Sequence, residues 1–161
     1  MAKPLASSTF TLNLHPSIGV ITTRIFRSWV KARTKMNLIM EWAVNAIELE
    51  MAESMASRSK SGRMYKRPLK TYKASAPGEA PAVYSGTLLN DLKQEITQMP
   101  WGLRGEVGVG MTAIYSKFLE HGTSKMSPRP FVKPAGDKII PLFQAKMSKV
   151  AAQMAKDMFR R

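Results

Sequence analysis

Residues 92–109 read LKQEITQMPWGLRGEVGV, two runs of strand character, Leu92 to Met99 and Arg104 to Val109, joined across Pro100, Trp101 and Gly102. Turn residues stand where an antiparallel hairpin needs them. Gly105, Gly108 and Gly110 weaken the second run as an isolated strand, so a closely approaching backbone or partner is expected beside it. Thr9 to Leu14 alternates polar and apolar residues, the period-two pattern of a half-buried strand, and adds a third strand.

Outward from this sheet the period changes to that of helices. His15, Pro16 and Ser17 end the first strand and offer Ser17 as a helix N-cap. Ile18, Ile21, Ile25, Trp29, Ala32, Met36, Ile39, Ala43 and Ile47 then recur every three or four residues, one face of a long helix. From Met36 to Ile47 nearly every position is apolar, so cover on more than one side is expected there. One helix from Ile18 to Ala56 would be about 58 Å long at roughly 1.5 Å per residue, and a kink or break is expected near Thr34 to Asn37.

At the other end, Ala135 to Phe159 carries Ile139, Leu142, Phe143, Met147, Val150, Met154 and Met158 at helical spacing, with Pro141 in its first turns. From Thr112 to His121, Ile114, Phe118 and Leu119 suit a short helix, which stops at Gly122. Ser85 can cap a short turn through Leu88 and Leu89. Ser127 to Pro134 is too rich in proline for a helix and reads as a stiff extended arm. The expected fold is α+β: a long, kinked N-terminal helix and a C-terminal helix packed on a small, mainly antiparallel sheet, in a single domain over residues 1–161.

Charge narrows the partners. Lys and Arg number 25 against 11 Asp and Glu, a formal net charge of +14. Residues 41–57 carry Glu41, Glu48, Glu50 and Glu53 with no base. Residues 58–73 reverse this with Arg58, Lys60, Arg63, Lys66, Arg67, Lys70 and Lys73, no acid, and Tyr65 and Tyr72 between them. This segment lies in an irregular stretch, about 57–85, whose length marks it as functional or disordered. Its cations can neutralise phosphates and its tyrosines can stack on bases, which makes DNA or a protein partner its expected contact. Arg24, Arg27, Lys31 and Lys35 form a second basic stripe, which reads as a solvated helix face.

Catalytic patterns are missing. There is no Cys, which excludes disulfides, thiolate metal sites and thiol catalysis and fits a reducing compartment. Glu120 and His121 are adjacent and diverge on a helix, so they read as a helix-end Glu and His engaged in capping or contacts. Asp91 and Glu95 read as solvating carboxylates. The glycines at 105, 108 and 110 do not match a dinucleotide fingerprint. No catalytic, cofactor-binding or metal-ligating residue is assigned, and the chain is not expected to be an enzyme. Met1 to Leu14 lacks an export signal, and no apolar run reaches the roughly 18–20 residues of a membrane span.

The middle of the chain resembles a known family. Ser75-Ala-Pro-Gly-Glu-Ala-Pro-Ala-Val-Tyr-Ser-Gly-Thr-Leu-Leu-Asn90, then Val107-Gly-Val-Gly110, Tyr115, Phe118-Leu-Glu-His-Gly-Thr-Ser124 and Pro128-Arg-Pro-Phe-Val-Lys-Pro-Ala135 are similar, in order and spacing, to the signature of bacteriophage tail-completion proteins. Ser85, Thr87 and His121 depart from the family's usual residues. The resemblance implies a virion protein of the neck or tail, assembled in the host cytoplasm, that joins head to tail as one subunit of a ring, a hexamer or dodecamer. Head-closure or connector proteins and tail-tube or terminator proteins would be its neighbours, with genome DNA in the channel a further candidate. A tail terminator capping the tube is the alternative within phage assembly, and a nucleic-acid-binding protein using the basic loop is the alternative outside it. For a ring subunit, Glu120, Gly122, Thr123, Arg129, Pro130 and Phe131 are the expected contact, with Arg129 giving a forked hydrogen bond and Phe131 filling a partner's pocket.

Overall fold

The computed structural model describes residues 10–14, 23–56, 60–68, 70–100 and 102–159. Its elements are β1 (Phe10–Leu14), α1 (Thr23–Ala56), β2 (Met64–Arg67), β3 (Lys70–Lys73), α2 (Thr87–Asn90), β4 (Leu92–Met99), β5 (Gly102–Val109), α3 (Ser116–His121) and α4 (Val132–Phe159). The α+β class is the expected one. β1, β5 and β4 form an antiparallel sheet in that order, with Leu12 opposite Gly105 and Ile96 opposite Gly105 on the other side. The Ser17 cap lies outside the described residues.

One face of this sheet packs on α1. Leu103, Gly105, Val107 and Val109 alternate inward along β5 and meet Met40, Ala43, Val44, Ile47, Met51 and Met55. Gly105 shows how close the approach is: a Cβ there would lie 2.7 Å from Met40 Sδ and 2.8 Å from Val44 Cγ1. The glycine is the groove into which the helix sinks. The core stripe of α1 therefore lies over Met40, Val44 and Met51 as well as the expected Ala43 and Ile47, while Trp29, Met36 and Ile39 are only half-buried. Leu38 is exposed, so the cover expected on more than one side of Met36 to Ile47 is not complete.

The expected break near Thr34 to Asn37 is absent, and α1 runs through its 34 residues unbroken. The reason is α4, which lies antiparallel beside it along most of its length. Lys138 pairs with Glu50 at one end, Lys146 sits 4.4 Å over the Trp42 ring in the middle, and the Ser28 hydroxyl reaches Met154 O, 3.4 Å away, near the other end. Two long helices packed along one another stabilise each other, so α1 continues without a break. In α4, Ile139, Phe143 and Val150 face α1, while Leu142 points to solvent. The helix begins at Val132, three residues earlier than expected, so Lys133 and Pro134 belong to its first turn, where a proline sacrifices no helical hydrogen bond.

Candidate functional site

The segments that carry the family resemblance converge on one clasp. α3 ends at Gly122, whose φ is 76° and whose surroundings are crowded: a Cβ there would lie 2.8 Å from Met126 O and 2.9 Å from Pro128 N, so only glycine is admitted. A small turn follows, closed by Thr123 N to Met126 O at 2.8 Å. The arm from Ser127 to Phe131 then returns under α3: Arg129 N donates to Leu119 O at 2.6 Å, and Pro128 O accepts from Gly78 N at 2.9 Å. The Arg129 guanidinium donates through Nη1 to the buried Ser75 hydroxyl at 2.8 Å.

Glu120 locks the clasp. Its carboxylate is buried and accepts from the backbone N–H groups of Phe131, Val132 and Lys133 at 2.9, 3.0 and 2.9 Å. These are the orphan donors at the start of α4, and a carboxylate at a helix N-terminus also faces the positive end of its dipole. Phe131 is 0% exposed and belongs to the core. Of the expected subunit contact, then, Glu120 and Phe131 are internal, Arg129 and Pro130 are half-buried and Arg129 is tied to Ser75, and Gly122 is a conformational requirement. Thr123 alone of the six is exposed. A rigid arm of this kind spends its side chains on its own fold because each chain reversal leaves backbone groups that need nearby partners. The capping role read for Glu120 in isolation is the one it performs, on a helix eleven residues away.

Asp91 repeats the device on a smaller scale. Read from sequence as a solvating carboxylate, it is buried and accepts from Ala113 N at 2.7 Å.

The basic stretch divides in two. What was expected to be irregular contains an antiparallel hairpin, β2 and β3, with Tyr65 opposite Tyr72 and Lys66 opposite Thr71. All four β2 residues are exposed. Tyr65 stacks on Tyr72 with centroids 5.6 Å apart, and Tyr72 meets Tyr84 at 4.7 Å. The base of the hairpin is pinned by two backbone bonds, Gly62 N to Ala74 O at 3.0 Å and Ala74 N to Arg63 O at 2.9 Å.

Glu79 braces the same base: it accepts from the Ser61 hydroxyl and from the backbone N–H groups of Ser61 and Ala76, and these bonds hold its pKa down at about 2. Lys60 is not a phosphate ligand in waiting. It is buried, its ammonium donating to Ser54 O and Ala80 O at 2.7 and 2.9 Å, and burial lowers its pKa even though Glu79 pulls the other way. Arg63, Lys66, Arg67 and Lys73 are exposed and have no acidic partner among the described residues. Arg58 and the side chain of Lys70 lie outside what is described.

Between hairpin and clasp lies a cleft of about 290 Å³ bordered by Tyr72, Tyr84, Leu88, Tyr115 and Arg129. Tyr115 also belongs to an apolar surface that the sequence does not announce. Met111, Ile114, Tyr115 and Phe118 are 58%, 66%, 41% and 47% exposed. Ile114 and Phe118, read as suiting a short helix, face outward, while Ala113, Ser116 and Glu120 occupy the inner side. The available signal was the spacing itself, since 111, 114, 115 and 118 recur at helical intervals.

Among the described residues no three His, Asp or Glu side chains group as a metal site, and no helix is long and apolar enough to cross a membrane. Comparison with family models, curated proteins and solved structures found no match to this chain.

Proposed function

We propose that this chain is a structural protein of a tailed bacteriophage, a ring subunit that completes the tail or neck and joins head to tail. The observation that carries the reading is the row Met111, Ile114, Tyr115 and Phe118, four large apolar side chains turned to solvent on one short segment. A contiguous apolar surface flanked by polar residues marks an interaction site. It lies on and just before α3, directly over the clasp built from the segments that resemble tail-completion proteins. The clasp holds that surface rigid through Glu120 and Arg129, so little conformational freedom is lost on docking. In this reading the expected contact residues other than the exposed Thr123 act from beneath: they shape the surface rather than form it.

The test is the double substitution Ile114→Ser and Phe118→Ser. The variant is expected to keep its far-UV circular dichroism and its unfolding midpoint, because both side chains are already exposed, and to lose self-association in sedimentation velocity and incorporation into phage particles. Particles assembled at normal yield with this variant, or purified particles that lack the protein by mass spectrometry, would refute the assignment.

A further inference from the structure

We infer that the hairpin Met64–Lys73 is a phosphate-binding ribbon that engages double-stranded DNA without regard to sequence. The sequence presents seven bases in residues 58–73; the fold sorts them. Lys60 is turned inward as a strut, while Arg63, Lys66, Arg67 and Lys73 project from the hairpin and its base with no carboxylate paired to them among the described residues.

Strand alternation puts Lys66 and Lys73 on one face of the ribbon and Arg67 on the other, with the tyrosines. Exposed cations on both strands suit an approach to the phosphates that line a groove, and a two-stranded ribbon fits the roughly 12 Å width of a major groove. The hairpin is a separate two-stranded sheet whose β2 residues, Thr71 and Lys73 are all exposed; Tyr72 packs on Tyr84 of the body, so the face with Lys66 and Lys73 is the open one.

The tyrosines argue against a single strand as the preferred ligand. Stacking platforms need open ring faces. Tyr72 is flanked by Tyr65 on one side and Tyr84 on the other, so the exposure that remains, 42% and 50%, is on the two outer rings. Their work is to stiffen an otherwise coreless hairpin, which would be marginal alone. Among the described residues of the ribbon the exposed cations have no partner that fixes them toward a base edge, so recognition rests on phosphate charge.

The experiment is fluorescence anisotropy on the full chain with a 30-base-pair duplex and the matching single strand, each from about 50 to 200 mM salt. The variant carries Arg63→Gln, Lys66→Gln, Arg67→Gln and Lys73→Gln together. A control of equal charge carries Arg27→Gln, Lys31→Gln, Lys35→Gln and Lys149→Gln. Each phosphate contact contributes about 0.9 to the slope of log K against log salt, so the hairpin variant is expected to lower that slope by about three to four for the duplex, and affinity near 50 mM salt by about a hundredfold or more. The control is expected to change it by less than about one.

Equal losses in hairpin variant and control would show diffuse attraction to a cationic protein and overturn the inference. Tighter binding of the single strand would overturn the groove geometry. Lost self-association with unchanged DNA binding would identify the ribbon as a contact between proteins and overturn it as well. None of these outcomes bears on the Ile114 and Phe118 surface, which is tested separately.

Discussion

The clasp around α3 and the hairpin β2–β3 are built from the same materials, charged residues, prolines, glycines and tyrosines, and use them in opposite ways. In the clasp, Glu120, Arg129 and Ser75 spend their hydrogen bonds on the chain's own backbone and on each other. In the hairpin, Arg63, Lys66, Arg67 and Lys73 are exposed and have no acidic partner among the described residues. The difference is one of local demand. A helix start and a sharp return leave backbone N–H groups with no partner, and the nearest carboxylate is recruited to them. A two-stranded ribbon pairs its inner backbone groups across the strands and leaves the outer ones to solvent, so no backbone donor there recruits the cations. Charge count says nothing about which outcome applies; backbone geometry decides it.

The sharpest way to break this contrast is Glu120→Ala. The backbone donors of Phe131 and Val132 would be left in a buried setting and that of Lys133 in a half-buried one, each buried hydrogen bond to a charged acceptor being worth about 1.5–3 kcal/mol. A loss of about 3–5 kcal/mol is expected in urea unfolding, a large share of a typical domain's stability of about 5–15 kcal/mol. Glu120→Gln keeps one acceptor and is expected to recover part of it. An effect under about 1 kcal/mol for the alanine variant would show that the clasp is held by something else.

Gly105→Ala is expected to follow, costing about 1–3 kcal/mol, because the new methyl would meet Met40 and Val44 at under 3 Å and force α1 off the sheet. The same measurement serves. A neutral result would mean that α1 can shift without cost and that its alignment with α4 is looser than the packing implies.

A third test sits at the junction of the two regions. Glu79 has a folded-state pKa of about 2, below its ordinary value of 4.5, because it accepts hydrogen bonds from Ser61 and Ala76. The native state therefore binds fewer protons than the unfolded state between these values, so its stabilising contribution is complete above the unfolded pKa and is lost as pH falls through about 2. Glu79→Gln is expected to flatten this part of the stability curve between pH 4.5 and about 2. Amide exchange at Ser61 and Ala76 should quicken in the same variant at neutral pH, and unchanged exchange there would contradict the bracing role.

The smallest effect is expected where the charge is densest. Neutralising Arg63, Lys66, Arg67 and Lys73 together should move stability by no more than about 0.5 kcal/mol per site, since none has an internal partner among the described residues. A clear loss would mean that the ribbon's cations serve the fold after all.

Much of the architecture was legible in the residues. Alternation over Thr9 to Leu14 and the turn at Pro100 and Gly102 located the three strands of the main sheet, and helical periodicity located both long helices, because those elements bury one face and the pattern of burial is written in the side chains. Gly105 was legible as a close approach and Gly122 as a helix stop. The hairpin was not legible: Met-Tyr-Lys-Arg and Lys-Thr-Tyr-Lys bury no face in common, and their pairing rests on cross-strand tyrosine contact that no period announces. The inward turn of Lys60 and Asp91 and the outward turn of Ile114 and Phe118 were not legible either, since each depends on which backbone groups happen to lie within reach.

By itself the amino-acid order determined the class of fold, the places where helices and strands stop, and a cationic surface. Only the tertiary structure decided that the proline arm closes on its own chain, that Phe131 is core, and that four of the basic segment's cations stand outward where a partner can meet them. Periodicity is a property of neighbours along the chain, whereas the fate of a charge is set by groups that folding brings to it from elsewhere, as Glu120 meets the head of α4 and Arg129 meets Ser75, 54 residues away.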